Sequence, residues 1–309
     1  MKRLFTGLQS SGQLHIGNYF GALKPFADMY AGYESFLMVA DYHSLTSLKD
    51  AAQVRTNTIE VVKAYIAAGV DPAKAIIFKQ SDVPAHTELA WVLECQVTVP
   101  FLMQAHAYKD KVAKGLEANA GLFNYPMLMA ADILLYDADV VPVGADQRQH
   151  VEYAREAAAK FNLAYGETLK EPQELIAEEV AVVPGTDGQK MSKSYKNTIP
   201  LFATPEETTA AVMSIVTDSS GERPENVYQI HKLFRQDIDG LYAENKGKYK
   251  VLKEALAADI NTYLAPMREK FNSLTDQDVQ KILSDGAAKA APIASAKLVG
   301  VRQKVGVTL

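Results

Sequence analysis

The sequence predicts an α/β fold, a doubly wound parallel sheet, with an all-helical region after it. Three observations predict it. Five short apolar runs, Arg3–Thr6, Phe36–Ala40, Ala75–Lys79, Asp139–Val143 and Val180–Val183, are continuous rather than alternating. Strands covered on both faces read that way. Helical patterns separate most of these runs, as expected of strands joined by crossover helices. After Ser194 helical periodicity dominates to the end. The chain therefore divides near residue 195, into a sheet-bearing part, 1–195, and a helical part, 196–309.

Taken in order, Arg3–Thr6 opens the sheet. His15 then starts a helix whose face carries Ile16, Phe20, Leu23, Ala27 and Tyr30. Pro25 falls inside that pattern, so a kink or an early end is expected near Lys24. Residues 51–69 place Val54, Val61, Tyr65 and Ala68 at helical spacing, and Gly69 stops the helix before Asp71-Pro72. Residues 146–161 do the same with Val151, Ala154, Ala158 and Phe161. Thr204-Pro205-Glu206-Glu207 is a capping box with proline in the first turn. The clearest late helix carries Tyr249, Leu252, Leu256, Ile260 and Tyr263, and Pro266 is expected to bend or end it.

The 309 residues suffice for one large domain or two ordinary ones. One cysteine, Cys95, excludes an internal disulfide framework and a cysteine-rich zinc site, and fits a reducing cytoplasm. The start of the chain leads into a strand, so neither a signal peptide nor a membrane span is expected. Net charge is −5, which argues against a generally basic nucleic-acid binder. Residues 195–309 hold 15 Lys/Arg against 14 Asp/Glu, and the rest holds 17 against 23. Any RNA contact must use local basic patches.

Ligands in doubly wound sheets sit at the carboxyl ends of the strands. Polar residues and glycines cluster there: Gly7, Asp41-Tyr42-His43, Gln80-Ser81-Asp82 and Gly144-Ala145-Asp146-Gln147. Two motifs carry anion chemistry. Lys190-Met191-Ser192-Lys193-Ser194 follows a glycine turn, Pro184-Gly185-Thr186-Asp187-Gly188. A pair of lysines alone is most often a solvated basic turn. The whole pentapeptide is more specific, and it suits a triphosphate that must release pyrophosphate. The second motif is His15-Ile16-Gly17-Asn18, at a helix start that offers backbone N–H groups and a positive dipole end to phosphates. Gln9, Ser10 and Ser11 can donate from the preceding loop, and Asn18 adds a donor. Asp146 suits ribose hydroxyls, although a solvated turn explains it equally well. Asp132 lies in Tyr125–Tyr136, a helix that is apolar nearly all round. A buried carboxylate must be paired, by capping a helix, by an arginine, or by a ligand's N–H.

The two motifs together resemble those of the class I aminoacyl-tRNA synthetases, and Phe5–Tyr19 resembles their tryptophan/tyrosine branch. The resemblance implies a Rossmann-like catalytic domain over 1–195, with a helical dimer-contact insert at about 86–120. Residues 196–309 would be a helical anticodon-binding region. It also implies ATP as substrate, with Mg²⁺ carried on its phosphates rather than by protein ligands, tRNA as partner, a homodimer and a cytoplasmic place of work. In the family the Gly144-Ala145-Asp146 loop holds the ATP ribose, and Lys190, Met191, Ser192, Lys193 and Ser194 hold its phosphates. Gln9, Ser10, Ser11, His15, Gly17 and Asn18 hold them from the other side. Much of the tryptophan branch has threonine at the position of His15, so a hydrogen-bond donor is implied there rather than a proton-transfer group.

The Tyr125–Tyr136 helix resembles that of the tryptophan-specific members. Asp132 falls on their indole-binding position, and Phe5, Gly7, Met129, Val141 and Val143 on the walls of the ring pocket. Tyr125 and Gln147 match contacts to the ammonium and carboxylate of the amino acid, and His43 matches a pocket histidine. The resemblance is tight over 3–24, 121–151 and 187–195, with Thr217-Asp218-Ser219 as a further match. It is loose at 96–118, where Gln96–Ala105 departs from the usual pattern, and at 165–186. A tyrosine-specific member, a non-catalytic relative that binds tryptophan or RNA, and a nucleotidyltransferase of similar fold stay open as rivals. A dinucleotide oxidoreductase is disfavoured, since no GxGxxG follows the first strand.

Overall fold

The computed structural model describes residues 1–308, apart from 11, 114, 116–117, 145–147, 177–182 and 218–222, and apart from the side chains of 106, 107, 110 and 111. Among the described residues the sheet has five parallel strands: β1 (Arg3–Gln9), β2 (Glu34–Ala40), β3 (Ala75–Lys79), β4 (Val140–Val143) and β5 (Gln173–Ile176). Their spatial order is β3-β2-β1-β4-β5. The direction of winding reverses between β1 and β4, which pair at Leu4 and Val140. That reversal opens a crevice at the carboxyl ends of both strands.

The first four expected strands are present, and β1 and β2 run longer than their apolar runs. The fifth differs. Of Val180–Val183, residues 180–182 lie outside the described residues. The strand beside β4 comes earlier, at Gln173–Ile176, with Val143 opposite Ile176.

Side chains alternate between the two faces of the sheet, and each face has its own core. Leu4, Leu37, Val39 and Ile77 point to one side, against Ile16, Val61 and Tyr65 and against Leu252, Leu256 and Leu283 of the late helices. Phe5, Phe36, Met38 and Phe78 point to the other, against Leu89, Met127, Leu134, Val151 and Phe161 and against Ala290, Ala294 and Leu298. Both cores draw on residues from either side of residue 195.

A helical run, α1, spans Ile16–Asn18, a π turn at Tyr19–Leu23 and Lys24–Met29. The widened turn comes just ahead of Pro25, where Lys24 N–H reaches back five residues to Tyr19 O. Pro25 has no N–H and its ring crowds the preceding turn, so the expected kink takes the form of a π bulge. Then come α2 (Ala51–Ala67), α3 (Ala85–Glu94), α4 (Ala120–Leu134) and α5 (Arg148–Tyr165). After the sheet come α6 (Pro205–Met213), α7 (Glu225–Phe234), α8 (Tyr249–Ser273) and α9 (Asp276–Val305). Thr204 and Glu207 form the expected capping box, at 3.2 and 2.9 Å. Helix α8 does not end at Pro266. Leu256, Ile260, Leu264 and Met267 are buried along one face of it, and their packing carries the helix past the proline.

Helix α9 crosses β3 closely enough that a Cβ on Gly286 would lie 1.8 Å from Ile77 O. Gly286→Ala must push helix and strand apart. It should lower stability by about 2 kcal/mol or more, read as a fall in the thermal or urea midpoint.

Candidate active site

The site is built where the winding reverses. Beyond β1 the chain makes a loop and enters α1 at His15. Two backbone bonds fasten this entry to the segment after the lysine turn: Ile16 N–H to Ile199 O at 3.1 Å and Leu201 N–H to Leu14 O at 2.9 Å. The two motifs, far apart in sequence, are thereby brought side by side at the carboxyl end of β1. Met191 is buried against Leu14 and Ile16 in the same core. Lys193 Nζ donates to Gly12 O at 2.9 Å. Its half-buried position lowers its pKa, and the charge of Glu60 opposes that. Lys190 is exposed.

Asn197 organises the lysine turn. Its Nδ2 donates to Asp187 Oδ1 at 2.7 Å and to Lys190 O at 3.1 Å, while its Oδ1 accepts from Ser192 N–H at 2.8 Å. Gly185 is needed beneath it, because a Cβ there would lie 2.3 Å from Asn197 Nδ2.

His15 is buried, and among the described residues its Nδ1 has no hydrogen-bond partner. The ring lies close over Gly17, where a Cβ would lie 3.0 Å from Nδ1 and would have to push the imidazole aside. Burial, with the nearby charge of Lys193, pushes the His15 pKa down to about 4. The imidazole is therefore neutral at pH 7, which suits a donor and not a cation. An unfolded chain takes up a proton near pH 6.5 that the folded chain refuses until about pH 4. Stability is untouched by this group above pH 6.5 and falls as the pH drops from 6.5 to 4. The loss is about 2 kcal/mol by pH 4.5. Urea unfolding at pH 7 and 4.5 should show that loss in the native chain and a smaller one in His15→Gln.

Ser10 departs from expectation. It is wholly buried, and its Oγ is bonded to Ser44 Oγ at 2.8 Å, so the hydroxyl faces the interior and not the cleft. Asn18 Oδ1 accepts from His15 N–H at 3.1 Å, which leaves its amide N–H₂ as the side free to meet a phosphate. Gln9 is exposed and donates to His43 O at 2.9 Å, joining the phosphate end of the cleft to the amino-acid end. Ser11, Ala145, Asp146 and Gln147 lie outside the described residues, as do Asp218 and Ser219. Gly144 is exposed at the end of β4.

At the amino-acid end, Tyr125, Met129 and Asp132 share one face of α4, at spacings of four and three. Phe5 and Val141 are buried, and Met129 and Val143 half-buried. Tyr125 Oη lies 3.2 Å from His150 Nε2, and burial pushes its pKa up to about 12. Asp132 is 1% exposed, and among the described residues it has neither an arginine nor a helix end as partner. His43 Nε2 meets Oδ2 at 2.8 Å, and His86 Nδ1 meets Oδ1 at 2.6 Å. Gln80 Nε2 donates to Oδ1 and Oδ2 at 2.8 and 3.0 Å. Burial alone would raise the carboxyl pKa. The hydrogen bonds from the two histidines outweigh it and hold the pKa at about 2. Of the three partners His43 alone is partly exposed. Sequence reading gave no role to Gln80, His86 or Asn197. Gln80 stood out only as part of a polar strand end.

A parallel sheet with a glycine-spaced helix start and a lysine turn facing it across the switch point defines a nucleotide-binding α/β enzyme. A family profile described as tRNA synthetases class I (W and Y) matches residues 1–284. A tryptophan–tRNA ligase of Fusobacterium nucleatum is 48% identical, covering 99% of this chain and 98% of its own. One from Campylobacter jejuni is 44% identical, over 98% and 99%. A crystal structure of the Campylobacter jejuni tryptophanyl-tRNA synthetase, complexed with ADP and tryptophan, superposes with a TM-score of 0.92 over 98% of this chain and 99% of that one. The chain belongs to the class I tRNA synthetases of the tryptophan and tyrosine family.

Proposed function

We propose that this chain activates L-tryptophan with ATP and transfers it to tRNA(Trp). The observation that carries the reading is the meeting of Lys193 with the loop before His15, at 2.9 Å, in a cleft whose other end holds the buried Asp132. Full-length identity of 44 to 48% to tryptophan–tRNA ligases supports the choice of amino acid.

The tryptophan carboxylate attacks the α-phosphorus of ATP in line, the bond to the β-phosphate oxygen breaks, and pyrophosphate leaves. The terminal ribose hydroxyl of the tRNA then attacks the acyl carbonyl and AMP leaves. No covalent enzyme intermediate is needed, so catalysis is positioning and charge stabilisation. Lys190 and Lys193, with Met191, Ser192 and Ser194 on the same turn, draw off the pyrophosphate. The N-terminus of α1, with Gln9, Ser11, His15, Gly17 and Asn18, cradles the phosphates, and Gly144-Ala145-Asp146 takes the ribose. Asp132 receives the indole N–H at Oδ2, the side that His43 shares, while Tyr125 and Gln147 hold the amino-acid backbone. No group of three or more His, Cys, Asp or Glu among the described residues could hold a metal ion. Mg²⁺ carried on the phosphates of ATP would neutralise the charge that develops on the leaving pyrophosphate.

The helical part, 196–309, reads the anticodon. The protein works as a homodimer through residues 86–120, where Trp91, Val99, Met103 and Val112 leave apolar area at the surface. The reaction belongs to the cytoplasm, where tRNA is charged, and no described helix is long and apolar enough to cross a membrane. Pyrophosphate exchange into ATP with each aromatic amino acid in turn tests the reading. Exchange with tryptophan alone is expected. Exchange driven by tyrosine, or tryptophan binding without exchange, would overturn it.

A further inference from the structure

We infer that Gln80, His86 and Tyr136, none of them in the wall of the amino-acid pocket, set its specificity by holding Asp132 as an acceptor-only carboxylate aimed at the cleft. The inference rests on Asp132 as the acceptor of the indole N–H, and names what makes it one.

His86 is wholly buried and uses both ring nitrogens. Nδ1 lies 2.6 Å from Asp132 Oδ1, and Nε2 lies 2.9 Å from Tyr136 Oη. Tyr136 is also wholly buried, among the rings of Phe5, Phe36 and Phe78. Burial, with the charge of Asp132, raises its pKa, so it remains a neutral phenol. A phenol has one proton to give, and Nε2 is there to take its hydrogen bond. His86 then carries its own proton on Nδ1 and donates it to Asp132. The chain of donation runs one way, from Tyr136 through His86 to the carboxylate.

Gln80 is oriented by the same logic. It is wholly buried, and its Oε1 accepts from Tyr42 N–H at 3.2 Å. The amide end is thereby turned to Asp132, where it meets both oxygens at 2.8 and 3.0 Å. A carboxylate offers about four acceptor positions. The interior donors take Oδ1 and the inner side of Oδ2, and His43, from the cleft side, holds the remainder. Every group that faces Asp132 in these contacts donates to it. An arriving N–H takes over the position on Oδ2 that His43 holds in this structure. A ligand that displaces His43 and brings no N–H leaves a buried charge partly unmet, which is how a hydrogen-bonding site rejects near isosteres.

Two amino acids of nearly equal shape test this: tryptophan and β-(benzothiophen-3-yl)alanine, which has sulfur in place of the N–H. The readout is the ratio of their kcat/KM values in pyrophosphate exchange. His86→Leu and Gln80→Met should each lower the native preference for tryptophan by roughly tenfold or more. The loss should lie in KM for tryptophan, with KM for ATP held. His86→Asn, which keeps a donor near the place of Nδ1, should recover most of it. Tyr136→Phe removes only the first donor in the chain and should give a smaller fall. It also serves should His86→Leu fail to fold. If these variants lose activity toward both amino acids in parallel, with the ratio unchanged, the three residues are only structural and the inference falls. Asp132→Asn separates the two claims. If it lowers the ratio and the His86 and Gln80 variants do not, the inference alone is wrong. If Asp132→Asn leaves the ratio intact, the indole acceptor lies elsewhere and both fail.

Discussion

Lys193→Ala is expected to cut ATP–pyrophosphate exchange by about 10²–10³-fold while tryptophan binding survives. The size follows from where the charge sits. Removing a single preorganised donor aimed at developing charge typically costs that much in kcat. Lys193 is such a donor. It is half-buried, so its field is less screened than that of an exposed lysine, and Met191 beside it is fixed in the core. In the free chain its Nζ is held to Gly12 O at 2.9 Å, already against the loop that enters α1. An ammonium arriving at a phosphate from there exchanges a neutral carbonyl acceptor for an anionic one. Lys193→Arg keeps the charge but changes its shape, and recovers only part of the activity. Equilibrium binding of tryptophan, read by fluorescence quenching or calorimetry, is the control. Asp132 belongs to α4, and none of its partners comes from the lysine turn. Loss of tryptophan binding with exchange intact would contradict the role given to Lys193.

The parallel sheet was legible because strands buried on both faces carry continuous apolar runs, as β2, β3 and β4 do and as β1 does at Leu4-Phe5. Strand β5 was not. It lies at the edge of the sheet among the described residues, and its sequence, Gln-Glu-Leu-Ile, carries two polar residues in four. The cleft was legible in its two motifs, since glycines, lysines and a histidine at a helix start declare anion chemistry locally. Its supporting contacts were not. Gln80 and His86 come to Asp132 from 52 and 46 residues away, out of the end of β3 and out of α3. No periodicity or spacing encodes such a meeting. Ser10 shows the same limit from the other side. Its place beside Gln9 suggested a phosphate donor, but the turn that brings Ser44 within 2.8 Å takes its hydroxyl inward. At Pro266, of the two outcomes expected, an end to the helix is not seen, because packing along a whole helix face outweighs one local breaker.

Asp132→Asn should weaken tryptophan selectively, by about 10²-fold or more in kcat/KM, with the ATP dependence little changed. The substitution is nearly isosteric, so the effect isolates charge and donor pattern. The native carboxylate accepts at both oxygens, from His86 and Gln80 on one and from His43 and Gln80 on the other. An asparagine amide accepts at one end only and donates at the other. With its N–H₂ turned inward it opposes the donors of His86 and Gln80. Turned to the cleft, it opposes His43 and the incoming indole N–H. Either way one pair of donors is set face to face in a buried place, where an unmet polar group costs about 1–3 kcal/mol. Stability should therefore fall as well, and a urea midpoint measured beside the kinetics gives that share. The deciding quantity is the discrimination between tryptophan and tyrosine in pyrophosphate exchange. It should shrink in Asp132→Asn, because the variant loses binding only for the ligand whose N–H the carboxylate received. Discrimination left at its native value would remove Asp132 as the indole acceptor, however much total activity had dropped.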